Sequence, residues 1–152
     1  DIVCQKLAKN IARDGEGANC LLEVLVEGAK NNADAIKIAK SICNSSLVKT
    51  AIHGCDPNWG RIIAALGRAG VPCDLKDVQL WIGPYKLFAD GMPMKFDRKV
   101  VSDYMKKKLN GKYLMDDLID MRLIVGMEEG SSIAWGCDLS DQYVRINADY
   151  TT

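Results

Sequence analysis

One histidine, two phenylalanines and four prolines are all that the 152 residues hold of those types, and no apolar run approaches the ~20 residues of a membrane-crossing helix. With a single histidine, a His-rich metal site is excluded, and any Ser-His-Asp or Cys-His scheme must use His53. Charge of one sign is also lacking: Lys+Arg and Asp+Glu are both 20, for a formal net charge of zero. A nucleic-acid binder needs a basic footprint to neutralise phosphates, so that class is disfavoured. The one basic run, Lys106-Lys107-Lys108 with Arg98 and Lys99, falls on a helical pattern and reads as a solvated face. Among Cys4, Cys20, Cys43, Cys55, Cys73 and Cys137 there is no C-x-x-C pair. Most lie in apolar periodic segments, which predicts reduced, metal-free thiols of an intracellular protein. No secretory leader is visible and no initiator Met is present, which leaves room for a removed leader or upstream segment.

What is present is the composition of an ordinary globular domain. The 48% hydrophobic and 26% charged residues suffice for one sizeable core, and the length suits one domain. Val3, Leu7 and Ile11 recur at helical spacing up to Arg13-Asp14-Gly15-Glu16-Gly17, where two glycines end the helix. Residues 21–27 alternate as a strand with Leu22, Val24 and Val26 on one face. Asn31 or Asn32 caps a second helix running to about Asn44, and residues 45–55 are ambiguous by periodicity. Asp56-Pro57 opens a third helix that buries Trp59, Ile62, Ile63 and Leu66 and ends at Gly70. Residues 78–88 read as a hairpin about Gly83-Pro84, and Asp97 starts a fourth helix. Strands are expected over 118–125 and 131–139, joined by the turn Met127-Glu128-Glu129-Gly130, with a last short strand at 143–146. The class is α+β, a mixed sheet with helices packed on one face. There is no repeat, linker or low-complexity tract.

Four stretches could carry chemistry. In Asp14-Gly15-Glu16-Gly17 a carboxylate sits between two glycines, where a ligand can approach the bare backbone; a helix C-terminal turn is the simpler reading. Residues 53–61, His53-Gly54-Cys55-Asp56-Pro57-Asn58-Trp59-Gly60-Arg61, offer a helix start and an arginine to an anion. A capped helix with Trp59 in the core explains them more simply, and His53 with Cys55 is a very weak zinc signal. Ala134-Trp135-Gly136-Cys137-Asp138-Leu139-Ser140 reads first as a strand. The tail, residues 146–152, presents Asn147, Thr151 and Thr152 as neutral hydrogen-bonding groups, and Tyr150 among them predicts a tail pinned to a surface.

Arg13-Asp14-Gly15-Glu16-Gly17-Ala18, Asn44-Ser45 with Leu47-Val48-Lys49-Thr50-Ala51, Asp56-Pro57-Asn58-Trp59-Gly60-Arg61-Ile62, Ala134-Trp135-Gly136-Cys137-Asp138-Leu139 and Ile146-Asn147-Ala148-Asp149-Tyr150 follow one another in the order found in one family. Over nearly its whole length the chain resembles the C-terminal part of the β chain of ornithine acetyltransferase, the bifunctional glutamate N-acetyltransferase of arginine biosynthesis. It departs from that pattern at Asn19-Cys20, where the family usually has Thr-Lys, and at Cys55, where it usually has glycine.

The resemblance implies a precursor that cuts itself into α and β chains and exposes a threonine at the start of β. That threonine takes an acetyl group from N-acetylornithine and passes it to glutamate, a ping-pong transfer without cofactor. Substrate contacts carry over to Glu16, Asn147 and Thr152. Asp1 has no hydroxyl, so the nucleophile and the self-cleavage site are expected upstream. Residues 1–152 would then be a single domain, with no catalytic residue and no metal ligand of its own. Its implied partners are the α chain and the N-terminal part of the β chain, as an α2β2 assembly, and amino-acid substrates, with no nucleic acid and no membrane. The implied location is the cytoplasm, or the mitochondrial matrix in a eukaryote. The competing reading is a non-catalytic interaction or small-molecule binding module that keeps the fold.

Overall fold

A computed structural model describes residues 2–150. The chain opens with helix α1 (Ile2–Arg13), strand β1 (Leu21–Ala29), helices α2 (Asn32–Cys43), α3 (Ser46–His53) and α4 (Trp59–Gly67). Strands β2 (Gln79–Ile82), β3 (Tyr85–Ala89) and β4 (Met92–Pro93) precede α5 (Arg98–Leu109), then β5 (Leu118–Ile124), β6 (Gly130–Cys137) and α6 (Asp141–Ala148). The sheet is mixed, in the order β4-β3-β2-β5-β1-β6, and β1 runs parallel to β5 and antiparallel to β6. This is the expected α+β architecture.

One face of the sheet makes the core. Leu22, Val24 and Val26 of β1, Ile119, Met121 and Leu123 of β5, and Leu80 and Ile82 of β2 are all buried on it. Fully burying each such side chain contributes roughly 1.5–3 kcal/mol. The helix α2 lays Ala35, Ile38, Ala39, Ile42 and Cys43 over them, a stripe at the i, i+3, i+4, i+7, i+8 spacing of a half-buried helix. Asn31 caps it by accepting from the Asp34 N–H at 2.8 Å. Val101 and Met105 of α5 close the same core. On the other face the polar members of the alternation pair up: the Trp135 indole donates to Glu23 at 2.6 Å, and Arg122 reaches Glu27 at 2.5 Å. There α1 lies across β1 and β6 through Lys9, 2.8 Å from Glu23, and buries no residue.

The ambiguous residues 45–55 form α3, capped by Ser45 and burying Val48, Ala51 and Ile52. The third predicted helix begins later than Asp56-Pro57: Asn58 is the cap, accepting from the Arg61 N–H at 3.2 Å, and α4 ends at Gly67 rather than Gly70. The hairpin about Gly83-Pro84 forms as expected, whereas β5 and β6 do not pair with each other. Their connection passes over the end of β1, where Gly28 and Gly126 touch so closely that a Cβ on Gly28 would stand 2.1 Å from the Gly126 carbonyl oxygen. The expected strand at 143–146 is helical, part of α6. Ser140 accepts from the Tyr143 N–H at 3.2 Å and Asp141 sits in the first turn, so the local cap overrides the short alternation. Tyr150 is 76% exposed, so it does not pin the tail. Thr151 and Thr152 lie outside the described residues.

Candidate functional site

The residues between α1 and β1 form a loop that carries Glu16 and is held at both ends. Arg13, the last residue of α1, donates to the carbonyls of Ala18 and Asn19 at 2.9 and 3.0 Å. Its Nε pairs with Asp117, and its guanidinium lies 4.7 Å from the centre of the Tyr113 ring. Asp117 is 1% exposed and accepts from the Leu114 N–H at 2.9 Å. A buried carboxylate joined to an arginine whose other donors are also satisfied is the arrangement in which a buried ion pair is tolerated.

Asp138, just past β6, anchors the far end. It is 3% exposed and accepts from the Asn19 N–H at 2.7 Å, the Asn19 amide at 2.9 Å, the Cys20 N–H at 3.1 Å and His53 Nδ1 at 2.9 Å. Burial opposes its ionisation, but the hydrogen bonds from Asn19, His53 and Cys20 outweigh burial and hold its carboxyl below the ordinary aspartate value. An ionised carboxylate only accepts, so His53 must carry its proton on Nδ1. The Asn19 amide, 3.3 Å from the same ring nitrogen, therefore donates to Asp138 instead. His53 Nε2 is left facing outward, 3.9 Å from Asp141 at the start of α6. Among the described residues no Ser, Thr or Cys side chain bonds to it. Cys55 turns away, its Sγ 4.0 Å from the His53 carbonyl oxygen.

The tail meets the loop through α6. Ser140 donates to the Gly17 carbonyl at 2.7 Å while capping the helix, and Gly17 has φ +68°. A Cβ there would stand 2.8 Å from Ser140 Oγ and 2.9 Å from the Tyr143 nitrogen, so the close approach requires glycine. Asn147, the seventh residue of α6, donates to Glu16 at 2.8 Å and to the Tyr143 carbonyl at 2.9 Å. Two of the three sequence-derived site residues are thus side by side on an exposed surface, and the third, Thr152, lies outside the described residues. Both amide hydrogens of Asn147 are used in these two bonds, so the groups the pair leaves free, the Glu16 carboxylate and the Asn147 carbonyl oxygen, accept, which suits the ammonium end of an amino acid.

Sequence reasoning missed the Asp138, His53 and Asp117 supports, because no local spacing relates residues so far apart in the chain. The cap Ser140-Asp141 was the one visible signal. The alternative anion site at residues 53–61 does not assemble: Arg61 is turned to α3, donating to the Leu47 carbonyl at 2.9 Å, and Asp56 pairs with Arg98 at 2.6 Å. A cavity of about 320 Å³, lined by Lys30, Asp74, Asp77 and Glu128 among others, opens at the far ends of β1 and β5, away from Glu16.

A sequence profile of the ArgJ family matches residues 1–152. The arginine biosynthesis bifunctional protein ArgJ of Prochlorococcus marinus (strain NATL2A) is 68% identical over 99% of this chain, which covers 36% of that protein. A protein of the same description, numbered ArgJ 1, from Nostoc sp. is 55% identical over 99% of the chain, again covering 36% of the relative. The chain therefore spans about a third of the length of the curated relatives it matches. A crystal structure of arginine biosynthesis bifunctional protein argJ from Bacillus halodurans superposes with a TM-score of 0.89 at 42% identity, over 98% of this chain and 66% of that one. With a profile that takes in the whole chain and a solved relative that shares its fold, the protein belongs to the ArgJ family.

Proposed function

We propose that this chain is the substrate-binding C-terminal part of an acetyltransferase of arginine biosynthesis. The full protein moves an acetyl group from N-acetylornithine to glutamate by a ping-pong mechanism, through an N-terminal threonine on another segment. In this reading residues 1–152 are a single domain that lacks the nucleophile and is inactive alone. Its partners are the α chain and the N-terminal part of the β chain in an α2β2 assembly, and its place of work is the cytoplasm. Glu16 holds the amino group of the substrate, and Asn147, with Thr152, holds its carboxylate or amino group.

The observation that carries the reading is the 2.8 Å contact between Glu16 and Asn147, which brings two exposed polar side chains together from opposite ends of the chain. The bonds from Arg13, Asp138 and Ser140 hold that pair in place, as a binding site requires. The names of the relatives, arginine biosynthesis bifunctional protein, support the pathway. In the full-length protein, Glu16→Gln should lower kcat/KM for acetyl transfer at least tenfold, about 1.4 kcal/mol. The melting temperature should hardly move, because the residue is exposed. Unchanged kinetics would refute the assignment.

A further inference from the structure

The helix α1 is amphipathic the wrong way round for the fold described above. Lys9 faces the sheet, 2.8 Å from Glu23 and 5.4 Å from the centre of the Trp135 ring, and Arg13 reaches inward to Asp117. At about 100° per residue, Val3, Leu7 and Ile11 project from the opposite side of the helix. They are 68%, 55% and 77% exposed, and Cys4 beside them is exposed as well. A surface helix of a self-contained domain turns its apolar stripe to the core and its charges to water. Here Lys9 and Arg13 are satisfied against the sheet and its loops, and among the described residues nothing covers the stripe.

A second apolar surface stands on the other side of Glu16. The helix α6 buries no residue and exposes Val144 at 60%, Tyr143 at 42% and Ile146 at 38%. The loop bearing Glu16 thus runs from one uncovered apolar helix to another, joined to the second through Ser140 and Asn147. Contiguous apolar surface beside polar binding groups marks an interface. The curated relatives are nearly three times as long as this chain, which covers 36% of each, so a large part of the full-length polypeptide is available to cover it.

We propose that the outward stripe Val3, Leu7 and Ile11 of α1 is the docking surface for the upstream part of the same polypeptide, and that this contact completes the site at Glu16. The inference rests on the proposed function in taking that upstream part to carry the nucleophile. The helix then does two jobs at once: its polar side fixes the Glu16 loop through Arg13, and its apolar side fixes the incoming segment. Positions of Glu16 and of the nucleophile are coupled through one rigid element.

The test uses the full-length protein with p-benzoylphenylalanine in place of Leu7, photo-activated and mapped by mass spectrometry, alongside alkylation of Cys4 in the unsubstituted protein. Cross-links to residues outside 1–152, with Cys4 alkylated at least tenfold more slowly than in the unfolded protein, are expected. Cross-links only to residues 1–152 of a second copy would overturn the proposal. So would Cys4 reacting as fast as in the unfolded protein, a result that does not depend on the substituted variant folding. Acetyl transfer is assayed on the same preparation. Active enzyme with a freely reactive Cys4 overturns the docking surface alone, whereas a protected Cys4 in a protein without acetyl transfer supports docking and overturns the functional reading.

Discussion

Asn147 donates one hydrogen bond to Glu16 and another to the Tyr143 carbonyl one turn back, so a side chain on α6 is held by its own helix while it holds the loop. The amide is positioned before any ligand arrives. Pre-organisation of this kind lowers the ordering cost of binding.

In the full-length protein, Asn147→Ala should raise KM for the amino-acid substrates several-fold, while Asn147→Asp should do worse, because it sets a second carboxylate against Glu16. Both residues are exposed, and an exposed hydrogen bond contributes at most ~1 kcal/mol. Thermal unfolding should therefore change little in either variant. Steady-state kinetics beside differential scanning calorimetry separate the two effects, and equal KM values for Ala and Asp would refute the charge argument.

Asp138→Asn should destabilise the domain by about 1–3 kcal/mol at neutral pH, since the new NH2 cannot accept and would leave a buried donor of Asn19 or His53 unpaired. The direction of the pH dependence follows from the depressed carboxyl of Asp138. A group whose pKa is lower folded than unfolded stabilises fully above its unfolded value, about 3.9 for aspartate, and loses that contribution as pH falls through the folded value. The stability gap between wild type and variant should be constant from neutral pH to about pH 5 and narrow below about 3.9. Urea unfolding at a series of pH values measures it. A gap that stayed constant down to pH 2 would contradict the role of the ionised form.

Gly17→Ala and Gly28→Ala should differ in reach although both glycines have positive φ, +68° and +78°. Placing an L side chain in that region costs roughly 1–2 kcal/mol in each case. At Gly17 the new methyl meets Ser140 and the start of α6, so amide exchange should accelerate in α6 and leave the sheet protected. At Gly28 it meets the backbone of Gly126, between β1 and the β5 to β6 connection, so the whole domain should lose stability. Hydrogen exchange resolved by residue distinguishes a local from a global loss.

The sequence was most legible where one local rule decides the outcome. The stripe of α2, the Gly83-Pro84 hairpin, the Asp97 cap and the alternation of β1 all form as read, since each depends on neighbours a few residues away. At residues 143–146 two rules competed: four alternating residues suggested a strand, but the Ser140-Asp141 start makes the segment helical. The failed pairing of β5 with β6 has a different cause. A short connection suggests a hairpin, and nothing local announces that β1 will lie between the two strands. In the site, Glu16 and Asn147 came from the family resemblance. Asp138, which supports the Glu16 loop, looked like the end of a strand, because its four donors come from Asn19, Cys20 and His53, all far away in the chain.

The place of β1 between β5 and β6 sets the order in which this domain can be made. Leu21 meets Leu118 on one side and Cys137 on the other, so neither ladder of β1 can form until residue 118 and those after it have been synthesised. Closing such large loops carries an entropic penalty before any contact rewards it, and folding slows as the sequence separation of the contacts grows. Until β5 and β6 arrive, the apolar edge-forming segment from Leu21 to Val26 must be shielded by α2, the neighbour that follows it directly. A ribosome stalled before residue 118 would consequently hold a nascent chain with helices and the Gly83-Pro84 hairpin but without its middle.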